Sequence, residues 1–214
     1  GTVLVFTACN RHSGEGSCDI FYSVLSGDNW TTPESTGTPV NTNNWEAHPS
    51  LSSDGRFLYF SSNRPGGMGG KDIWRAECLG IGANSKLIWK EPVNVGDSIN
   101  TPGDETSPFI HAGNKNIYFA SDYHTGMGRF DIFMSAIVDD STFSKPVNLG
   151  YPINTFNDEQ GIFISADGMT AFFSSQRYNP PDIDIYSFRM DESLRPLPAT
   201  YVRVNVYDQK SLLP

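Results

Sequence analysis

The chain has 214 residues, with 24 acidic against 15 basic side chains and a net charge of -9, a balance that repels polyanions and excludes nucleic acid as a partner over most of the surface. Its 38% hydrophobic content supplies one sizeable core or two small ones, and no apolar run reaches the roughly 18 to 20 residues that span a bilayer. Gly1 opens the chain without the basic and apolar regions of a signal peptide, which predicts either a cytosolic chain or one whose targeting segment has been removed.

Helical periodicity is nearly absent. Short apolar runs broken by 20 glycines, 14 prolines and many Asn and Asp residues predict an all-β chain. In chain order, GTVLVFTACN at Gly1 returns as GRFLYFSSNR at Gly55, NKNIYFASDY at Asn114 and GMTAFFSSQR at Gly168. Each copy is followed by an Asp-apolar-aromatic triplet that begins at Asp19, Asp72, Asp131 or Asp184, and these aspartates fall 53, 59 and 53 residues apart. A third element reads PVNVGDSINT from Pro92 and PVNLGYPINT from Pro146, with a looser copy ending at Pro39-Val40-Asn41-Thr42.

Each repeat parses into four strands. The first opens on a glutamate, as in EAHPSLSS from Glu46, ETSPFIHA from Glu105 and EQGIFISA from Glu159. Asp54-Gly55, Gly113-Asn114 and Asp167-Gly168 then predict two-residue hairpin turns with positive φ at both central positions, leading into the second strand. The Asp-Ile-aromatic segment forms the third strand. The proline-bearing WKEPVNV or FSKPVNL segment forms an outer fourth. A four-stranded antiparallel unit of this length, repeated, is a β-propeller blade, so the fold class is an all-β propeller with about four blade units. The units run over about 1–45, 46–104, 105–158 and 159–195, followed by a C-terminal extension over 196–214. Gly1 aligns with the turn glycines Gly55 and Gly168, so the first unit lacks its innermost strand. The sequence predicts a fragment cut at a hairpin tip; the alternative is a four-bladed ring in which Tyr201 to Tyr207 returns to supply that strand.

SLSSDGRFLYFSSNRPGGMGGKDIW and its copies resemble the PD40 type of WD40-like repeat of TolB-type propellers, and still more the propeller segment of OmpA-family envelope proteins of Bacteroidetes-type bacteria. The likeness covers residues 1 to about 195. It implies a periplasmic, outer-membrane-associated protein tied to peptidoglycan through a domain absent from this chain, and some relatives belong to the type IX secretion machinery. The tail PATYVRVNVYD resembles the start of the β-sandwich that follows the propeller in that family, with Val202, Val204 and Val206 alternating as one face of a strand.

Asp19, Asp72, Asp131 and Asp184 invite reading as a ring of catalytic or metal-binding carboxylates. A group needed once by a reaction has no reason to recur in every blade, whereas an Asp that accepts hydrogen bonds from a turn is needed once per blade. Arg11, Arg64 and Arg177 are predicted to pair with these aspartates, with Tyr123 in that slot of the third copy. Glu46, Glu105 and Glu159, two of them preceded by Asp104 and Asp158, are predicted to gather around one mouth of the channel. There they either bind a calcium ion or a basic peptide, or satisfy backbone donors of the neighbouring Ile-Asn-Thr turn; otherwise no cofactor is expected. No DxDxDG loop is present, and His12, His48, His111 and His124 lack metal-site spacing.

Cys9 and Cys18 flank the first unit's turn and suit a structural disulfide in an exported protein, leaving Cys78 free. Aromatics recurring at Trp30, Trp89 and Phe143 and at Tyr59, Tyr118 and Phe172 read as packing between blades. Trp45, Tyr123, Phe156 and Tyr178 lie off that pattern, in turns, and are the candidates for a contact surface. The glycine-rich NRPGGMGGKDIW looks like a phosphate loop, but it lies between two strands rather than before a helix, so its glycines read as turn formers. No nucleophile elbow appears, and Ser165-Ala166-Asp167-Gly168 is one residue short of a sialidase box. The residues predict a non-enzymatic binding scaffold, and the resemblance implies that its partners are envelope proteins; the alternative is a propeller enzyme acting on glycans, a glycosidase or a lyase.

Overall fold

A computed structural model describes residues 2–82, 86–177 and 182–200. Its strands form four antiparallel sheets in chain order. The first sheet holds β1 (Val3–Cys9), β2 (Cys18–Ser26), β3 (Asn29–Trp30) and β4 (Glu34–Ser35). The second holds β5 (Glu46–Leu51), β6 (Phe57–Ser62), β7 (Asp72–Ile81), β8 (Leu87–Trp89) and β9 (Val93–Asn94). The third holds β10 (Glu105–Ile110), β11 (Asn116–Ser121), β12 (Asp131–Ala136) and β13 (Val147–Asn148), and the fourth β14 (Glu159–Ile164), β15 (Thr170–Ser175) and β16 (Asp184–Arg189). Inner strands β5, β10 and β14 succeed one another from sheet to sheet, and β1 packs on β5. This is the four-bladed β-propeller arrangement that the repeat predicts.

The first sheet has β1 at its inner edge with no further strand paired to it among the described residues. The fourth strands are short and split: β8 and β9 lie on either side of Pro92, which has no N–H to give to a ladder. Alternation puts one face of each middle strand into the space between blades. Phe57, Tyr59 and Ile73 of the second blade meet Ile117, Phe119, Phe133 and Phe143 of the third in one core, while Tyr118, Ile132 and Leu149 meet Ile162, Ile164 and Phe173 in the next. Trp30 and Phe172, whose positions recur as buried aromatics in the second and third blades, are exposed in the first and fourth.

The inner hairpins differ from the expected two-residue turns. Only the second central position has positive φ, at Gly55 (72°), Asn114 (52°) and Gly168 (72°). The reversal is longer because Ser52 closes it with its N–H to the Phe57 carbonyl, at 2.8 Å, and Asp54 accepts from the Ser52 hydroxyl and the Arg56 N–H. Each inner strand also carries a bulge, with His48, Ser107 and Gly161 at the same left-handed position.

Candidate functional site

Each junction leading into a new blade is built on one glutamate. Glu46 accepts from the Thr42 N–H at 2.8 Å, the Thr42 hydroxyl at 2.7 Å and the Ser62 hydroxyl at 2.8 Å. Glu105 takes the same donors from Thr101 and Ser121 at 2.6–2.7 Å, and Glu159 from Thr155 and Ser175 at 2.7–2.8 Å. All three are 0% exposed. The structure thus places each carboxylate inside its own junction, and it does not gather them at an open mouth, because three or more close donors outweigh the water each acid would keep at a channel rim. Among the described residues, no group of three or more His, Cys, Asp or Glu side chains is placed to hold a metal ion.

Arg64 and Arg177 pair with these glutamates and not with the repeated aspartates, while Arg11 is exposed with no ion pair to either kind of acid among the described residues. Arg64 stands 3.4 Å from Glu46 and Arg177 3.5 Å from Glu159. Each guanidinium also donates to two carbonyls of the preceding turn, Pro39 and Val40 for Arg64 and Pro152 and Ile153 for Arg177. The planar fork reaches an acid and two carbonyls at once, which an Asp already filled by backbone donors does not offer. In the third copy Tyr123 sits exposed in the arginine slot, and the next residue does the work: His124 donates from Nε2 to the Ile99 carbonyl at 2.8 Å. With no guanidinium beside it, burial pushes the Glu105 carboxyl above its ordinary pKa despite hydrogen bonds from Thr101 and Ser121.

The repeated aspartates cap the glycine turns. Asp19 accepts from the N–H groups of Glu15 and Gly16 at 3.0 and 3.2 Å, Asp72 from Met68 and Gly69 at 3.1 and 3.3 Å, and Asp131 from Met127 and Gly128 at 2.9 and 3.0 Å. Glycine is needed at 16, 69 and 128 for a packing reason: a Cβ there would overlap carbonyl oxygens of the junction that follows, Gly103 and Thr101 in the case of Gly69. Asp184 departs from this pattern. It is exposed and accepts from the Tyr186 hydroxyl at 3.4 Å. The residues at the two donor positions in the fourth copy are Pro180 and Pro181, which have no N–H.

Asp104 and Asp158 tie neighbouring blades. Asp104 accepts from the Lys71 N–H at 2.9 Å and pairs with the Lys71 ammonium, while Asp158 accepts from the Phe130 N–H at 3.2 Å and lies 3.8 Å from Arg129. Lys71 in turn stands 5.7 Å from the centre of the half-buried Trp45 ring, whose edge meets His48 at 5.4 Å. His48 accepts on Nδ1 from the Ser107 N–H at 3.3 Å, and although its side chain reaches the surface, partial desolvation of the ring and then the Lys71 charge hold its pKa below the usual imidazole value. Sequence reasoning missed Lys71 and His48 as partners of Trp45, because only the fold brings 45, 48 and 71 together. Tyr178 lies outside the described residues.

Exposed apolar side chains of this end cluster on the third blade, with Met68 added from the β6–β7 connection of the second. Tyr123 and Met127 project from the β11–β12 connection, and Phe156 from the junction on which that connection rests, where the Gly128 backbone meets Phe156. Cys9 and Cys18 are bonded to each other across the facing ends of β1 and β2, and Cys78 is free.

The chain matches no protein-family model and no curated protein sequence. Among solved structures it is similar to TolB from Acinetobacter baumannii at 12% identity and a TM-score of 0.50, over 87% of this chain and 39% of that one. It is similar to an α-L-arabinofuranosidase from Lactobacillus brevis at 12% identity and a TM-score of 0.52, over 94% of this chain and 74% of that one. A prolyl endopeptidase is similar at 12% identity and a TM-score of 0.52, over 97% of this chain but 26% of that one. The chain therefore spans well under half the length of two of these three. The likeness is one of fold, shared by proteins of different activity; the chain has a TolB-like β-propeller structure.

Proposed function

We propose that this chain is a non-enzymatic binding and scaffold propeller that engages a protein partner in the bacterial periplasm, without a cofactor, as part of an outer-membrane-associated OmpA-type protein. The observation that carries the reading is that the repeated acids of the first three blades and their junctions are spent on the frame. Glu46, Glu105 and Glu159 are wholly buried and filled by donors, and Asp19, Asp72 and Asp131 are filled by turn amides. A glycosidase needs two carboxylates free to face one cavity, and a hydrolase needs a nucleophile within reach of a base, and none of these six acids is free for either role. Tyr123, Met127 and Phe156 stand exposed at the loop end, an apolar and aromatic group of the chemistry that protein recognition uses. The Cys9–Cys18 bond suits an oxidising compartment, and the repeat's resemblance to envelope propellers supports the same location.

The rival reading, a propeller enzyme acting on glycans, is favoured by the structural likeness to an arabinofuranosidase. Affinity capture of the full-length protein from envelope extracts, compared between wild type and a Tyr123→Ala, Phe156→Ala double variant, separates the two. The scaffold reading expects a defined partner that the double variant loses, no turnover of a glycan panel, and an unchanged melting temperature with calcium or EDTA. Turnover of any glycan with no partner recovered would sink it.

A further inference from the structure

One blade junction holds a guanidinium cradle without its guanidinium. Where the first blade meets the second, Arg64 lies 4.9 Å from the Phe60 ring centre and 5.3 Å from that of Trp74, and it donates to the Pro39 and Val40 carbonyls. Where the third meets the fourth, Arg177 lies 4.8 Å from Phe173 and 5.1 Å from Tyr186 and donates to the Pro152 and Ile153 carbonyls. Two aromatic rings and two successive carbonyls thus suit a flat cation with several donors.

Between the second and third blades the corresponding rings are Phe119 and Phe133, and the corresponding carbonyls are those of Ser98 and Ile99. His124 fills this cradle in part. Its ring centre lies 5.8 Å from that of Phe119 and 5.2 Å from that of Phe133, and its Nε2 donates to the Ile99 carbonyl at 2.8 Å. The imidazole reaches one carbonyl where each guanidinium reaches two. The Ser98 carbonyl, whose counterparts at Pro39 and Pro152 both accept, has no donor among the described residues. Ser98 lines a cavity of about 450 Å³ together with Asp97, His124, Phe133 and Lys145.

Two charges on that wall are unspent. Asp97 stands where the other junctions have Thr38 and Tyr151, and Lys145 where the second blade has Glu91. Both side chains are exposed, and neither has an ion pair among the described residues. Glu91 favours the charged form of Arg64 by its field. With Lys145 in its place, and Asp97 added, the third cradle favours a cation that brings its own anion.

We infer that this cavity binds an arginine that carries a free carboxylate, as the C-terminal residue of a peptide or as the free amino acid. The guanidinium pairs with Asp97, donates to the Ser98 carbonyl and lies against His124, while the carboxylate pairs with Lys145. Tyr123 and Phe156, which carry the protein-partner reading, do not line the cavity, so either claim can fail without the other.

The probes are the tripeptide Gly-Gly-Arg, free L-arginine, and two tripeptide analogues that end in arginine amide or in citrulline. Each is titrated into the whole chain and followed by backbone amide chemical shifts. Saturable binding of Gly-Gly-Arg is expected, with shifts centred on Asp97, Ser98, His124 and Lys145. The citrulline peptide keeps the shape and loses the charge, so it should bind about tenfold more weakly or worse. Asp97→Asn should weaken Gly-Gly-Arg by a similar factor and, because its side chain is exposed, leave the melting temperature within about 2 °C of wild type. Lys145→Ala should bind Gly-Gly-Arg no better than wild type binds the amide. L-Arginine binding as tightly as the tripeptide identifies the free amino acid as the ligand, and weaker binding identifies the peptide terminus. No saturation up to about 10 mM Gly-Gly-Arg, equal binding of the citrulline peptide, or shifts scattered over the acidic surface would overturn the inference.

Discussion

Arg64 stands 3.4 Å from Glu46 with its side chain almost entirely out of solvent and the carboxylate wholly so, while Glu105, in the same position one blade on, has no guanidinium at all. The two glutamates therefore differ in what their removal would leave behind. Glu46→Gln strands a buried cation and should cost about 3–5 kcal/mol. Glu105→Gln keeps the shape, still accepts from the Thr101 N–H, and strands no charge, so its cost should stay within about 1–2 kcal/mol. For a chain of this size the gap corresponds to roughly 5–10 °C between the two melting temperatures. Equal melting temperatures would show that Arg64 is held by its carbonyls and not by Glu46.

The same contrast sets a pH dependence. Burial raises the Glu105 pKa above its ordinary 4.5, so the folded protein binds that proton more readily than the unfolded chain does. The penalty is fully present above the folded pKa and is relieved as pH falls from there toward 4.5. Urea unfolding of wild type and Glu105→Gln between about pH 7 and pH 4.5 should show wild type gaining on the variant as acid is added. A constant difference would mean that Thr101 and Ser121 compensate the burial in full.

The repeat made most of this architecture legible. Aspartate spacing located the third strands, and the Glu-led segments located the first to the residue. What the sequence could not show is which recurring side chains meet. Arg64 and Asp72 recur together as regularly as Arg64 and Glu46 do, and only the fold turns the guanidinium toward Glu46 and the preceding carbonyls. Periodicity also hides substitution by a neighbour: the third copy looked empty at Tyr123 because its donor is His124. The loss at Asp184 was readable in advance, since Pro180 and Pro181 remove the two N–H groups its counterparts use. The contact between Trp45, His48 and Lys71 was not, because it joins separate strands.

The glycine turns give a test of close approach. Gly69→Ala drives a methyl into the carbonyls of Thr101 and Gly103, which belong to backbone held by Glu105 and cannot yield freely. A loss of about 1–3 kcal/mol is expected. Gly113→Ala is the matched control, because its methyl would meet only the Leu197 carbonyl at 3.3 Å and the His111 ring at 3.5 Å. It should melt within about 2 °C of wild type. If the two variants melt together, the glycines at 16, 69 and 128 serve the turn alone and not the joint between blades.

The Cys9–Cys18 bond closes the far end of the only two long strands of the first sheet, where β1 is held on one side by β2 and has no strand on the other among the described residues. A sequence separation of 9 residues makes a small loop, so in the chain-entropy view the bond removes about 2–3 kcal/mol of unfolded-state freedom. Reduction, or the double change Cys9→Ser and Cys18→Ser, should lower the melting temperature by roughly 4–12 °C. Because β1 packs directly on β5, the loosening should spread inward, with faster amide exchange along β1 and at His48, whose N–H bonds the Thr7 hydroxyl at 3.0 Å. Cys78→Ser, a small change at the half-buried margin of the core between the first and second blades that removes no cross-link, should lower the melting temperature far less. Exchange that quickens in the third and fourth blades as strongly as in β1 would show that the sheets unfold as one unit rather than from the first blade.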